Sequence, residues 1–200
     1  TGAGARADKT LAAIRTLSDK PLQSIANTSF LQDRTGGNEA LRKAGADLSV
    51  RGTFFSLQFR DAGVGATIMA HQNVQNRLSA AKRPADAQPS DTFLDERRRT
   101  FHNDDAIEML WQPNAITDGD SLVHFRRADV IVTGNIFTTT QYPFIDVANG
   151  GTLDGEIRAL NQILERTVFE HQAQGGTLVV PGHGYLSDEH EVVEYRDMVV

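Results

Sequence analysis

The chain of 200 residues contains no cysteine, which excludes disulfide bonds, thiolate metal sites and cysteine nucleophiles. It also lacks any apolar run near the ~20 residues that a membrane-spanning helix needs. A basic excess is absent too, because the formal net charge is −6. Proteins that bind nucleic acid through its phosphates usually cluster lysine and arginine. We therefore expect neither a membrane span nor a nucleic acid partner.

The composition is that of an ordinary globular protein, with 40% hydrophobic and 23% charged residues. The length allows a domain with a substantial core. Segments with helical and strand periodicity alternate along the chain, without an internal repeat or a low-complexity tract. The sequence thus predicts a single α/β domain over residues 1–200. Nothing in the composition decides between an exported and a cytoplasmic protein.

The spacing of apolar residues predicts the individual elements. One clear amphipathic helix carries Leu153, Ile157, Leu160, Leu164 and Val168 on its apolar face. Further helices are predicted at Ala7–Leu17, Asn38–Ala44, Asn73–Leu78 and Glu189–Val200, and strands at Leu22–Thr28, Ala66–Ala70, Ile107–Trp111, Leu122–Phe125, Val130–Val132 and Thr177–Val180, with short strands around Phe93 and Phe101.

Three local predictions are less regular. Asn38 stands where a helix N-cap is expected. The basic run Arg97–Arg99 follows two acidic residues and predicts a solvated loop or helix face. The apolar segment Thr53–Phe59 fits either a strand or an insertion packed on the surface.

The segment Asn27–Asn38 joins the end of a predicted strand, a Gly-rich turn and the start of a helix. Its frame is Asn-Thr-x-x-x-x-Asp-x-Thr-Gly-Gly-Asn. This frame resembles the metal-binding loop of the metallo-β-lactamase superfamily, in which the central residues follow the motif His-x-His-x-Asp-His. The same slots here hold Ser29, Leu31, Asp33 and Arg34. The frame of a metal site is present and most of its ligands are replaced.

Four further segments resemble the same superfamily in the expected order. Ala70–Val74 is similar to the start of a helix in the branch of glyoxalase II and subclass B3 β-lactamases. Ala115–Ser121 is similar to Ala-His-Thr-x-Gly-Asp, and Val132–Phe137 is similar to Thr-Gly-Asp-x-Phe. Val180–Gly184 is similar to Pro-Gly-His-Gly. Together the five segments span essentially the whole chain, which is identified as a member with a degenerate metal site.

The resemblance implies an αβ/βα sandwich of two sheets with helices outside. Its metals lie at one edge, between the sheets. Thr1-Gly2 matches the end of a family segment that follows several N-terminal strands. We therefore expect those strands to be missing from this sequence.

The first metal of the family is held by three histidines, which match Ser29, Leu31 and Ile116 here. Zinc takes its ligands from His, Cys, Asp and Glu. Leucine and isoleucine cannot coordinate a metal, and a neutral serine hydroxyl is a poor ligand. The resemblance therefore predicts that the first metal is lost.

The second metal of the family uses positions that match Asp33, Arg34 and His183, with a bridging aspartate at Asn135. A guanidinium stays protonated and only donates hydrogen bonds, so Arg34 cannot be a ligand. Asp33 and His183 remain as weak candidates, and we expect no metal cofactor. Each also has a simpler interpretation, Asp33 as a loop-capping or salt-bridged carboxylate and His183 as a hydrogen-bonded remnant.

The substitutions are consistent with a site rebuilt without metal. Asn135 removes a negative charge, while Arg34 adds a permanent cation beside Asp33, with Asp118 or Asp120 as possible further partners. Leu31 and Ile116 would fill the space of the lost imidazoles. Asp118 and Asp120 are also expected to cap backbone N–H groups of a tight turn.

The favoured function is therefore a pseudoenzyme of metallo-β-lactamase fold with a structural or partner-binding role, without catalytic residues. Its partner would be another protein or a second copy. The physical reason is that hydrolysis in this family needs a metal-activated hydroxide. One alternative is a mononuclear zinc hydrolase of thioesters, lactones, β-lactams or phosphoesters, using Asp33, His183 and the Asn135 oxygen, with Arg34 as oxyanion stabiliser. A small-molecule binder without chemistry is another.

Overall fold

The computed structural model describes residues 6–46, 65–167 and 176–200. The predictions for Thr53–Phe59 and Val168 lie outside these ranges. Internal contacts divide the chain into two compact units, Thr1–Thr92 and Phe93–Val200. Within the described ranges, every helix is too short or too polar to cross a membrane.

In its described residues, the first unit carries a small sheet with four α-helices and a short 3-10 helix, Ala85–Ala87. Its strands are β1 (Ser24–Ala26), β2 (Thr67–His71) and β3 (Asp91–Phe93), in the order β1-β2-β3. β1 and β2 run parallel, with Ile25 opposite Ile68. The helices are α1 (Ala7–Leu17), α2 (Gln32–Thr35), α3 (Asn38–Ala44) and α4 (Gln72–Ala80).

Two apolar clusters hold the first unit together. Ile25 and Ile68 pack with Leu41 of α3, and Leu11 of α1 lies against them. Ala70 packs with Val74 and Leu78, which are four residues apart on α4. The spacing of four places both side chains on one face of the helix.

The second unit is built on a five-stranded sheet in the order β4-β5-β6-β7-β8. Neighbours are antiparallel up to β7, and β7 and β8 are parallel. The elements are β4 (Arg97–His102), β5 (Asp105–Trp111), β6 (Ser121–Phe125), β7 (Val130–Gly134), α5 (Leu153–Arg166), β8 (Leu178–Pro181) and α6 (Glu189–Val199).

The basic run Arg97–Arg99 is not a loop or a helix face, since it lies in strand β4. The turn from β4 to β5 consists of Asn103 and Asp104, both at positive φ. Asparagine and aspartate tolerate this conformation, which two-residue hairpin turns require. The local turn chemistry therefore decides that this polar segment forms a hairpin.

Strand β5 does not alternate between buried and exposed side chains. Glu108, Met109 and Leu110 are buried in succession. Arg99 donates hydrogen bonds to Glu108, and Arg126 lies 3.8 Å from the same carboxylate. The two arginines therefore supply positive charge beside the buried carboxylate of Glu108.

The apolar face of α5 is rotated from the predicted one. The buried side includes Glu156, Leu160 and Ile163, whereas Leu153 is half exposed. The cause is the first turn of the helix. A side chain at Gly155 would overlap the backbone of Asn114, so this glycine lets the helix approach the preceding loop closely.

Candidate functional site

In the first unit, the loop after β1 has a fixed backbone. The Asn27 N–H donates to the carbonyl of Met69 at 2.9 Å, which extends the β1–β2 pairing by one residue. The side-chain amides of Asn27 and Asn38 exchange two hydrogen bonds of 2.9 and 2.8 Å. Asn38 also donates to the carbonyl of Ala87. Both amides are buried, so they fix the start and the end of this loop.

This amide pair corrects the predicted N-cap. Asn38 is the first residue of α3, and Gly37 occupies the cap position without a side-chain hydrogen bond. The amide of Asn38 reaches across the loop instead. It supplies hydrogen-bond partners to the buried side-chain amide of Asn27 and to the carbonyl of Ala87.

The two substituted positions Ser29 and Leu31 form a local turn. Ser29 is fully buried, and its hydroxyl accepts a hydrogen bond from the Leu31 N–H at 3.4 Å. The Thr35 hydroxyl lies 3.1 Å from the Leu31 carbonyl and donates to it. These contacts give Ser29 a structural role, and the turn presents no imidazole or carboxylate.

Asp33 and Arg34 follow at the start of α2. The Arg34 Nη2 lies 3.3 Å from the Asp33 Oδ2, and the arginine side chain is 15% exposed. The predicted ion pair is therefore present. It agrees with the interpretation of Asp33 as a salt-bridged carboxylate. The Asp33 carboxylate therefore has a protein cation beside it.

His71 closes the corresponding end of β2. It is buried, and its Nδ1 accepts a hydrogen bond from the Asn73 N–H at 3.3 Å, which caps α4. Strands β1 and β2 are parallel, so His71 and the loop after β1 lie at the same end of their sheet. His71 thus acts as a helix cap.

In the second unit, the structure brings Ile116, Asn135 and His183 to one edge of the sheet. Asn135 follows β7 and His183 follows β8, and these strands are parallel with Gly134 opposite Pro181. Ile116 lies in the loop before β6, which runs antiparallel to β7 and begins at this same edge. Topology therefore gathers three predicted positions that are distant in sequence.

The side chains at this edge differ in burial. Ile116 is buried, whereas Asn135 is half-buried and His183 is exposed. The His183 carbonyl accepts a hydrogen bond from the Thr139 N–H at 3.1 Å, so the loops after β7 and β8 are tied together. The edge thus combines one apolar side chain, one amide and one imidazole.

The turn from Thr117 to Asp120 is held by a carboxylate, as predicted. Asp120 accepts hydrogen bonds from the Thr117 N–H and from the Thr117 hydroxyl, the latter at 2.9 Å. Both residues are buried. Asp120 therefore caps a backbone N–H and fixes the loop that carries Ile116.

A buried acid that was not among the predicted residues lies behind this turn. Glu156 of α5 is fully buried, and neither carboxylate oxygen has a hydrogen-bond partner within the described ranges. Burial, and then the nearby charge of Asp120, raise the pKa of Glu156 to about 9. Burial and the neighbouring Glu156 also raise the pKa of the Tyr195 phenol to about 12. Glu156 is therefore held as a neutral acid at pH 7.

The burial of Glu156 could have been inferred from helical periodicity. Glu156 stands four residues before Leu160 and seven before Ile163, so it shares their face. Only the rotation of α5 distinguishes this face from the predicted one.

Among the described residues, no group of three or more His, Asp or Glu side chains is arranged to hold a metal ion.

Neither a scan of protein-family models nor a search of curated protein sequences finds a match. Solved structures do match. A metallo-β-lactamase from Pontibacter korlensis is 14% identical, with a TM-score of 0.69 over 96% of this chain and 75% of its own. The DIM-1 metallo-β-lactamase is 16% identical, with a TM-score of 0.68 over 98% and 77%. TMB-1 is 13% identical, with a TM-score of 0.67 over 98% and 76%. At these low identities the likeness concerns the backbone, and it shows that the chain has the metallo-β-lactamase fold.

Proposed function

We propose that this chain is a pseudoenzyme of the metallo-β-lactamase superfamily that binds a partner protein or a second copy and catalyses no hydrolysis. The observation that carries the proposal is the ion pair of Arg34 with Asp33 in the loop after β1. On the segment Ala70–Val74, we also infer that it derives from the branch of glyoxalase II and subclass B3.

The donor set at the former ligand positions does not fit zinc. Ser29 and Leu31 supply one hydroxyl, which already accepts the Leu31 N–H. Ile116 supplies no donor atom. A permanent cation at Arg34 would repel a dication, whereas it stabilises the Asp33 carboxylate directly. The family reaction needs a metal-bound hydroxide, so loss of the ligands implies loss of the reaction.

The surface of the second unit supports a binding role. Phe144 and Val147 lie three residues apart in one loop and are 72% and 76% exposed. Exposed aromatic and aliphatic side chains that lie close together are typical of contact sites between proteins. The loop is anchored, because the Asp146 N–H donates to the Ile116 carbonyl at 2.9 Å. A fixed apolar loop is suited to partner recognition.

Metal analysis tests the first half of the proposal. Protein purified without chelator and exposed to equimolar zinc should retain well under one zinc ion per chain after gel filtration. The variant in which Ser29, Leu31, Arg34 and Ile116 are each replaced by His, and Asn135 by Asp, should retain zinc. Stoichiometric metal in the wild type that is lost in Asp33→Ala or His183→Ala would overturn the proposal and favour the mononuclear hydrolase.

Sedimentation velocity tests the second half. If the exposed loop holds a second copy, Phe144→Ser with Val147→Ser should shift the wild-type protein towards monomer. The matched control is Leu94→Ser, because Leu94 is equally exposed but lies before β4. If all three proteins sediment as monomers at high concentration, self-association through this loop is refuted.

A further inference from the structure

A cavity of about 400 Å³ opens within the second unit, between α6 and the loops after β7 and β8. Its size falls in the range of small-molecule sites. Its walls come from residues 137–142, from Tyr185 and from one side of α6. The sequence motifs do not account for this cavity.

The loops that form the walls are held in place. The Gly182 N–H donates to the Phe137 carbonyl at 2.9 Å, and the Tyr185 N–H donates to the Thr139 hydroxyl at 3.1 Å. Gly184 has φ +109°, and a side chain there would overlap the Thr139 hydroxyl. The position of Tyr185 is therefore fixed by backbone contacts before any ligand arrives.

Aromatic rings make up one part of the lining. Tyr142 and Tyr185 are 77% and 59% exposed, so their faces are accessible to a ligand. Tyr195 forms the floor, where its ring packs edge-on against Phe137 with 5.3 Å between centroids. Exposed tyrosines around a cavity provide the negative ring faces that attract cations.

Carboxylates supply the second part of the lining. Glu191 and Glu194 are three residues apart on α6, so they share a face of that helix. One oxygen of Glu191 accepts the Asp188 N–H at 3.0 Å in a capping box, which holds the side chain in place. No lysine, arginine or histidine is among the described residues that line the cavity.

This combination selects an organic cation over other ligands. An anion would be repelled by both glutamates, and a neutral apolar ligand would cover them without a counter-charge. A metal ion would require several converging oxygen ligands, but Glu191 and Glu194 are the only carboxylates among the described residues that line the cavity. Glu194 also lies 3.3 Å from the imidazole of His190, which is not one of these lining residues. Tyrosine faces with nearby carboxylates bind ammonium groups whose charge is spread over methyl groups.

We propose that this cavity binds a small organic ammonium ion, with Tyr142 and Tyr185 against its methyl groups and Glu191 and Glu194 balancing its charge. Asn135, His183 and Ile116 are not among the described residues that line the cavity, and the proposal does not depend on whether the chain is an enzyme.

Choline serves as the probe, and its uncharged isostere 3,3-dimethylbutan-1-ol serves as the matched control ligand. Titration followed by ¹H–¹⁵N NMR should give saturable shifts with choline at residues 138–142, 185 and 191–198. We expect a dissociation constant on the order of 1 mM, which is ordinary for a ligand of so few atoms. The alcohol should shift the same resonances weakly. Equal affinity for both ligands, or choline shifts elsewhere only, would overturn the proposal.

Variants test the named side chains. Glu191→Gln combined with Glu194→Gln should weaken choline binding about three- to tenfold, and Gln at position 191 retains the capping box. Glu189→Gln removes the same charge from the same helix outside the cavity and should leave the affinity within about twofold. Tyr185→Leu should weaken binding, whereas Tyr185→Phe should retain it. Circular dichroism verifies folding, and a folded double variant that binds choline as the wild type does would refute the assignment.

Discussion

Glu156 allows the sharpest prediction, because one buried group should dominate a measurable pH dependence. Its side chain is fully buried, and neither oxygen has a hydrogen-bond partner within the described part of the chain. Burial raises the pKa of Glu156, and the negative charge of Asp120 raises it further, from 4.5 to about 9 in the folded protein. In the unfolded chain the carboxyl group is in water and has its ordinary pKa.

The sign follows from proton linkage. Between pH 4.5 and 9 the folded protein keeps the Glu156 proton and the unfolded chain releases it. The unfolded state thus binds fewer protons, so the free energy of unfolding falls as pH rises. The slope approaches about 1.4 kcal/mol per pH unit. From pH 5 to pH 8 the loss from this group amounts to about 4 kcal/mol, a large part of the stability of an ordinary domain.

The assay is urea denaturation at pH 5, 6, 7 and 8, for the wild type and for Glu156→Gln. The amide is similar in shape and does not titrate, so the difference between the two proteins isolates the Glu156 proton. This difference should change by about 1.4 kcal/mol per pH unit in favour of the variant as pH rises. The Tyr195 phenol, whose pKa is raised to about 12 by burial and by Glu156, stays protonated over this range.

Glu165→Gln is the matched control, because Glu165 is exposed on the same helix. Its difference from the wild type should be small, because substitutions of exposed side chains change stability little. A constant offset between Glu156→Gln and the wild type at all four pH values would refute the reasoning. It would mean that Glu156 is ionised in the folded protein and has a partner or solvent access.

Two further stability predictions concern buried polar contacts. Asn38→Ala removes both hydrogen bonds to Asn27 and one to Ala87. It should destabilise the protein by about 3 kcal/mol in chemical denaturation, because the partners stay buried without hydrogen bonds. Asn76→Ala, on the exposed side of α4, should cost about 0.5 kcal/mol or less, and equal losses would contradict this. Burial raises the pKa of Glu108, but the hydrogen bond and charge of Arg99 and the charge of Arg126 outweigh it, and the pKa is lowered. Arg99→Met should therefore cost about 1–3 kcal/mol at pH 7, and the loss should vanish as pH falls through the lowered pKa, since a protonated Glu108 needs no cation. A loss that persists unchanged in acid would show that Arg99 acts through packing alone.

Most elements could be predicted because their signals are local. The turn residues Asn103 and Asp104 and the short apolar runs of β6 and β7 are signals carried by neighbouring residues. Likewise, the ion pair of Arg34 with Asp33 joins adjacent side chains, so the sequence sufficed to predict it. The chemical nature of the positions that resemble family ligands also follows from residue identity, because isoleucine or leucine cannot coordinate a metal in any fold.

Other features depend on contacts between distant segments. The Asn38 amide pairs with Asn27 and Ala87, so its role as a cross-loop contact could not be read from helix-capping patterns. The rotation of α5 depends on how closely Gly155 approaches Asn114, far away in sequence. That rotation alone decides whether Glu156 faces water or the core.

The sequence by itself determined the order of elements, the frame of the loop from Asn27 to Asn38 and the donor chemistry of the residues that resemble family ligand positions. These depend on residue type and short-range spacing. The tertiary structure alone decided that Glu156 is a buried neutral acid and that Tyr185 and Glu194 line one cavity. The physical reason is that burial and charge environment are sums over neighbours in space, and the strand pairing of β7 with β8 brings those neighbours together.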